Sequence, residues 1–76
     1  MSGSLPIISG REAVSAFEKV GFRLVPRRGK GSHMVMAKPN FPAILTIPDH
    51  RELKRGLLRA MIRKAGLTVE EFVSLL

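Results

Sequence analysis

The first regular pattern of apolar and polar positions along the chain has the period of an α-helix. Its apolar positions are Ala13, Val14, Phe17 and Val20. Ser9 and Glu12 have the spacing of a capping box, and Gly21 follows the last apolar position, where glycine can end a helix in a left-handed conformation. The pattern therefore predicts a helix from about residue 10 to about residue 20.

Three short β-prone runs follow, at residues 22–27, 33–38 and 44–47. In the first two runs, every second residue belongs to one set and the residues between them to another, as on the two faces of a strand. The third is a run of Ile, Leu and Thr that ends at Pro48. A cationic, glycine-bearing turn at residues 27–32 and a proline-rich segment at 39–42 separate them. Short runs bounded by glycine and proline are typical of strands. We expect three antiparallel strands, the economical arrangement for runs of this length.

The last third of the chain returns to helical spacing. We expect Asp49 or His50 to open a helix and Gly66 to end it. Its apolar positions, which share one side, are Leu53, Leu57, Leu58, Met61, Ile62 and Ala65. Thr68 and Glu71 repeat the capping box and predict a short last helix. Its apolar positions are Val69, Phe72, Val73 and Leu76. The chain is thus predicted to be α+β, an αβββα domain over residues 1–76 with a short extra C-terminal helix.

Length and composition narrow the class of protein. Seventy-six residues can form one small domain, and the absence of cysteine excludes a disulfide-stapled secreted module. With two histidines and no thiolate, a structural zinc site is implausible. No apolar stretch approaches the length of a membrane span, and residues 1–10 lack the pattern of a signal peptide. We therefore expect a cytoplasmic protein that makes no membrane contact.

The charge is concentrated in the middle of the chain. The formal net charge is +7, and the segment 19–64 holds twelve Lys and Arg against two acidic residues, a balance of +10. Lysine and arginine contacts to phosphate supply most of the non-specific affinity for nucleic acids. The alternative is a basic surface that only keeps the protein soluble. We favour a polyanionic partner, because so small a domain must otherwise tolerate its own charge repulsion.

Several kinds of chemistry are missing from the sequence. It has no glycine-rich phosphate loop followed by Lys and Ser or Thr, no paired carboxylates and no nucleophilic cysteine. Three of its six acidic residues have capping or first-turn roles, which leaves few ligands for a catalytic metal. We therefore expect no metal and no small-molecule cofactor.

His33 is the remaining candidate for catalysis. Cleavage of RNA without a metal needs a base, an acid and cations that stabilise the charge building on the phosphate. Histidine can transfer the proton in either direction, and glycines let backbone amides approach a phosphate. His33 directly follows Gly31 and Ser32 and has cations just before it. Those cations are Arg27, Arg28 and Lys30. An isolated histidine on a strand is, however, more often packed or solvated than catalytic.

His50 and the long helix offer weaker signals. His50 lies at a predicted helix entrance, where a local hydrogen-bonding role is favoured over that of a second catalytic acid. Three arginines at four-residue spacing line one side of the helix, which has Glu52 as its single acid. The basic residues of this helix are Lys54, Arg55, Arg59, Arg63 and Lys64. Phosphate or an acidic partner explains this side better than ion pairing within the helix, although it could also be a solvated outer face.

The sequence resembles the HicA family of bacterial toxins, which are messenger-RNA interferases. The matching pieces, in chain order, are Ser9-Gly10-Arg11-Glu12, Val20-Gly21-Phe22, Gly31-Ser32-His33, Ile47-Pro48-Asp49-His50, Leu53-Lys54-Arg55-Gly56-Leu57-Leu58, Lys64-Ala65-Gly66-Leu67 and Glu71-Phe72. The resemblance implies a fold like that of double-stranded-RNA-binding domains, cleavage of messenger RNA and neutralisation by a HicB-like antitoxin. It also implies that His33, the histidine of Gly-Ser-His, is the catalytic residue. The segment 26–30 is longer and more basic than the usual lead into this motif.

The candidates for binding RNA come from the turn before His33, the second strand and the long helix. They are Arg27, Arg28, Lys30, Gly31, Ser32, Lys38, Lys54, Arg55 and Arg59. One alternative is a non-catalytic module that binds double-stranded RNA with the same fold, in which His33 would be replaceable. Another is an interaction protein whose basic face binds only an acidic protein partner.

Overall fold

A computed structural model describes residues 5–26 and 31–76 of the chain. It is an α+β arrangement of an N-terminal helix, a three-stranded antiparallel sheet and two C-terminal helices. The elements in chain order are α1 (Gly10–Glu18), β1 (Arg23–Leu24), β2 (His33–Ala37), β3 (Leu45–Pro48), α2 (Arg55–Lys64) and α3 (Val69–Val73). Among residues 5–26 and 31–76, no helix is both long enough and apolar enough to cross a membrane.

The strands lie in the order β1-β2-β3, so β2 is central and pairs with both neighbours. Its first residue, His33, is opposite Pro48, and Met36 is opposite Leu45. Because side chains alternate along a strand, Met34 and Met36 point to one face of the sheet and His33 to the other. The methionine face belongs to the core, which includes Met36 as a fully buried residue.

The helices cover the methionine face of the sheet. The core there contains three fully buried phenylalanines, and Phe17 lies between the other two. Its ring centroid is 5.9 Å from that of Phe22, edge-on, and 5.0 Å from that of Phe72. Leu5 and Ile8, which precede α1, are also part of the core. Phe17 and Phe72, two of the predicted apolar helix positions, are thus confirmed as buried.

The local signals at the helix ends are confirmed. Both capping boxes form, Ser9 with Glu12 at the start of α1 and Thr68 with Glu71 at the start of α3. Gly21 (φ +104°) and Gly66 (φ +80°) adopt the left-handed conformation predicted after α1 and α2. The helix α1 ends two residues earlier than expected, at Glu18.

The predicted start of α2 is wrong. The helix begins at Arg55 with Lys54 as its N-cap, not at Asp49 or His50. The backbone of the preceding segment bonds to other parts of the chain instead of to its own helix. The Asp49 amide donates to the Ser32 carbonyl, and the His50 carbonyl accepts from the Gly10 amide. In a helix begun at Asp49, the His50 carbonyl and the Leu53 amide would join the first turn, but here they bond to the Gly10 amide and the Ile8 carbonyl.

The expected apolar sides of α2 and α3 are also only partly buried. Leu57 is 40% exposed, because α2 turns Leu58, Met61 and Ile62 toward the core. Val73 and Leu76 are 37% and 47% exposed, since the short α3 inserts only the Phe72 side chain into the core.

The capping box of α1 gives a first prediction. Ser9→Ala should lower the free energy of unfolding by about 1 kcal/mol, since the Ser9 hydroxyl accepts from the Glu12 amide at 3.1 Å. Urea denaturation measures this change. Ser15→Ala is the matched control, an exposed serine in the same helix where alanine is the better helix former. Equal stability of the two variants would show that the cap contributes nothing.

Candidate functional site

Three segments of the chain meet at the end of the sheet where β2 begins and β3 ends. They are the start of α1 (8–11), the turn into β2 (31–33) and the connection from β3 to α2 (48–55). We call this region the His33 end. The Gly10 amide donates to the His50 carbonyl at 2.9 Å, and the Leu53 amide donates to the Ile8 carbonyl at 2.8 Å. The Asp49 amide donates to the Ser32 carbonyl, so backbone hydrogen bonds join all three segments.

Gly10 allows α1 to approach the end of β3 very closely. A Cβ atom at this position would lie 2.0 Å from the Pro48 carbonyl oxygen and 3.3 Å from Cα of Asp49. A side chain of any size would therefore push the two backbones apart. The first residue of α1 must be glycine for the His33 end to have this shape.

His33 is an exposed residue at the first position of β2. It points to the sheet face opposite the helices, as the alternation with Met34 shows. Before it, Gly31 has a left-handed backbone (φ +61°) and open space where a side chain would lie. The Gly31-Ser32-His33 turn is therefore accessible to a large ligand from solvent.

Lys54 and Arg55 also belong to this end, because α2 begins there. The Arg55 Nε donates to the Leu5 carbonyl at 2.8 Å, so part of its guanidinium holds the N-terminal segment in place. Arg59 lies one turn further along the helix, about 6 Å away along its axis. The helix packs on the face opposite His33, so only its first residues reach the same end of the molecule as the histidine.

Lys38 is not brought to the His33 end. Five residues of extended chain separate the two, about 16 Å. The Lys38 ammonium lies 5.5 Å and 5.4 Å from the ring centroids of Phe22 and Phe41, in cation–π contact. Phe41 in turn packs edge-on against Phe22 at 5.7 Å. Lys38 and Phe41 therefore form part of the opposite end of the domain.

The other candidate cations, Arg27, Arg28 and Lys30, lie outside the described residues. His50 does provide an anchoring contact, and it does so with its backbone carbonyl. Its side chain is exposed. Among residues 5–26 and 31–76, no three His, Asp or Glu side chains cluster in a way that could hold a metal ion.

One ion pair at the His33 end was not predicted from the sequence. Arg11 and Asp49, 38 positions apart, are joined by two hydrogen bonds, Nε to Oδ1 at 3.2 Å and Nη2 to Oδ2 at 3.1 Å. The hydrogen bond and the negative charge of Asp49 raise the pKa of Arg11. A cation in the first turn of a helix is opposed by the helix dipole. That unfavourable placement was the signal in the sequence that Arg11 needs a partner.

A family model and a solved structure are both similar to this chain. The model of the HicA toxin of bacterial toxin-antitoxin systems matches residues 10–67. A solved structure described as a toxin-antitoxin complex from Streptococcus pneumoniae contains a similar chain, with 33% sequence identity and a TM-score of 0.70. The match covers 79% of this chain and 98% of that one. No curated protein matches the sequence. The chain belongs to the HicA toxin family of bacterial toxin-antitoxin systems.

Proposed function

We propose that this toxin is a metal-independent endoribonuclease that cleaves messenger RNA, with His33 as the general acid or base. The observation that carries the proposal is the position of His33, exposed at the start of β2 directly after an open left-handed glycine turn. Lys54 begins α2 at the same end of the domain. An extended RNA strand can reach such a site, whereas a histidine in a deep pocket would exclude it.

In the proposed reaction, a base removes the proton of a 2′-hydroxyl and the 2′-oxygen attacks the adjacent phosphorus. The bond to the 5′-oxygen breaks, and this oxygen takes up a proton from an acid. The products are a 2′,3′-cyclic phosphate and a 5′-hydroxyl. His33 performs one of the two proton transfers. His50, Lys30 and water are the candidates for the other.

The negative charge on the phosphate needs stabilisation. We assign this role to Lys30 and Arg28, with Ser32 and the Gly31 amide holding the phosphate. The Gly31 and Ser32 residues are exposed, as this role requires. Lys54, Arg55 and Arg59 would contact the RNA backbone beyond the cleavage point. Lys38 would then contact only a distant part of a long RNA, given its place at the opposite end.

The proposed fold is a variant of the double-stranded-RNA-binding domain, with the whole chain forming one domain and α3 as an addition. The order αβββα and the helices on one face of the sheet support this assignment. The same fold is compatible with a second function. A non-catalytic module could bind double-stranded RNA through the start of α2, and His33 would then be dispensable.

We further propose a HicB-like antitoxin as the protein partner of this chain. The similar chain of known structure comes from a toxin-antitoxin complex. A net charge of +7 favours an acidic partner. An antitoxin that covered His33 would block access of RNA to the turn.

The decisive test uses two RNA oligonucleotides, one of which carries a 2′-deoxy group at the cleaved position. We expect the purified protein to cut the all-ribose strand in the presence of EDTA and to leave the substituted strand intact. Mass spectrometry should find a 2′,3′-cyclic phosphate on the product. Binding of both strands without any cleavage would favour the binding module. Cleavage of both strands would rule out attack by the 2′-oxygen.

A further inference from the structure

The Arg11–Asp49 ion pair is joined by two hydrogen bonds but lies at the surface of the protein. The two side chains are 78% and 31% exposed. Exposed pairs add little to stability, because water and salt screen them. In addition, the start of α1 is an unfavourable place for the positive charge of Arg11. Stability of the folded chain is therefore a poor explanation for this pair.

The surroundings of Asp49 connect the pair to the turn before His33. The backbone amide of Asp49 donates to the carbonyl of Ser32, the residue directly before His33. Asp49 also lies between Pro48, whose carbonyl packs against Gly10, and His50, whose carbonyl accepts from the Gly10 amide. The Asp49 side chain is held by Arg11, which lies next to Gly10 in α1. Any movement of Asp49 relative to α1 thus moves the backbone of Ser32.

The hydrogen bond from the Asp49 amide to the Ser32 carbonyl holds this turn to the connection between β3 and α2. No atom lies within 4 Å of the place where a Gly31 side chain would begin, and His33 is the first residue of its strand, opposite Pro48. The ends of strands open more easily than their centres. Proton transfer requires the histidine within about 2.6–3.2 Å of its target atom. The bond from Asp49 to Ser32 therefore bears on where His33 lies.

We infer that Arg11 and Asp49 are positioning residues for His33. This inference rests on the proposed ribonuclease function. The guanidinium fixes the Asp49 carboxylate on two oxygens, and the Asp49 amide then fixes the Ser32 carbonyl against α1. The pair does not touch RNA in this role. It sets the position from which His33 acts.

The test is a double-mutant cycle with Arg11→Gln, Asp49→Asn and the double variant. Each single substitution should lower kcat about tenfold, because a small misplacement of a catalytic group slows proton transfer, and leave KM nearly unchanged. The double variant should be no slower than the single ones. Arg11→Lys should lose activity as Arg11→Gln does, since lysine keeps the charge but not the two-pronged contact.

Arg51→Gln is the matched control, because it removes one exposed positive charge from the same connection. We expect this variant to keep the kcat of the wild type. An equal loss in Arg51→Gln, or full activity in Arg11→Lys, would show that only charge matters and would overturn the inference. So would a fall in kcat that simply follows a loss of folded protein, measured by thermal unfolding.

A second readout does not depend on RNA. Amide hydrogen exchange at Asp49 should become about tenfold faster in Arg11→Gln than in the wild type, because its bond to Ser32 opens more often. Unchanged exchange would overturn the inference. If the wild type fails to cleave RNA while exchange responds as expected, the proposed function fails and the structural link from Arg11 to Ser32 stands.

Discussion

The His33→Ala variant is expected to cleave RNA about 10²- to 10⁴-fold more slowly than the wild type, the usual loss when a general acid or base is removed. His33 is exposed at the start of β2, so the substitution leaves the core intact. Initial rates on an RNA oligonucleotide measure the effect in vitro. In cells, induced expression of the wild type should arrest growth and degrade RNA, whereas the variant should do neither.

Two controls separate loss of chemistry from loss of folding or binding. His33→Ala should unfold at nearly the same urea concentration as the wild type and should still bind RNA. His50→Ala should lose less activity, because the backbone carbonyl of His50 makes the contact with Gly10. If His33→Ala cleaved RNA at the wild-type rate, His33 would not be catalytic. RNA binding without cleavage by both proteins would favour the binding module.

Gly10→Ala is expected to lower the free energy of unfolding by about 1–3 kcal/mol, the range for an atom forced into a packed site. The added methyl group would lie 2.0 Å from the Pro48 carbonyl oxygen, so backbone must move. We also expect reduced RNA cleavage by the fraction that remains folded, since α1 and the segment carrying Asp49 would separate. Urea denaturation and rates measured well below the unfolding midpoint test the two effects.

Gly56→Ala provides the matched control for this prediction. Gly56 lies in the first turn of α2, and nothing is within 4 Å of a Cβ atom there. Alanine is the better helix former, so this variant should gain stability, by up to about 1 kcal/mol. The same chemical change should thus have opposite signs at the two positions. Equal stabilities would mean that α1 does not approach β3 as closely as described.

Features set by neighbouring residues were predictable from the sequence. The two capping boxes and the left-handed glycines at 21 and 66 depend on contacts within a few positions, and all of them formed as expected. The prediction of where α2 starts was wrong, because that start depends on residues far away in the sequence. The amides at 49 and 53 donate to the carbonyls of Ser32 and Ile8, and the carbonyl at 50 accepts from the Gly10 amide. No pattern of neighbouring residues indicates these bonds.

The candidate site shows the same division. The Gly31-Ser32-His33 motif and the basic start of α2 could be found as separate pieces, and the fold brings them to one end. The positive charge of Lys38 carries no information about its distance from this motif, and the length of β2 places Lys38 at the opposite end. The Arg11–Asp49 pair joins positions that only the tertiary structure brings together, so the sequence held no more than an oddly placed cation.

The segment that defines the family is shorter than the part of the chain that builds the core. The family match covers residues 10–67, yet Leu5 and Ile8 before it and Phe72 after it are buried at 2%, 5% and 0% exposure. Arg55 also binds the Leu5 carbonyl from within the matched segment. A polypeptide cut to the family boundaries would expose Phe17 on the side where Phe72 had packed. The limits of the family match and the limits of the folded unit therefore differ in this toxin. Any truncation should keep the whole folded unit.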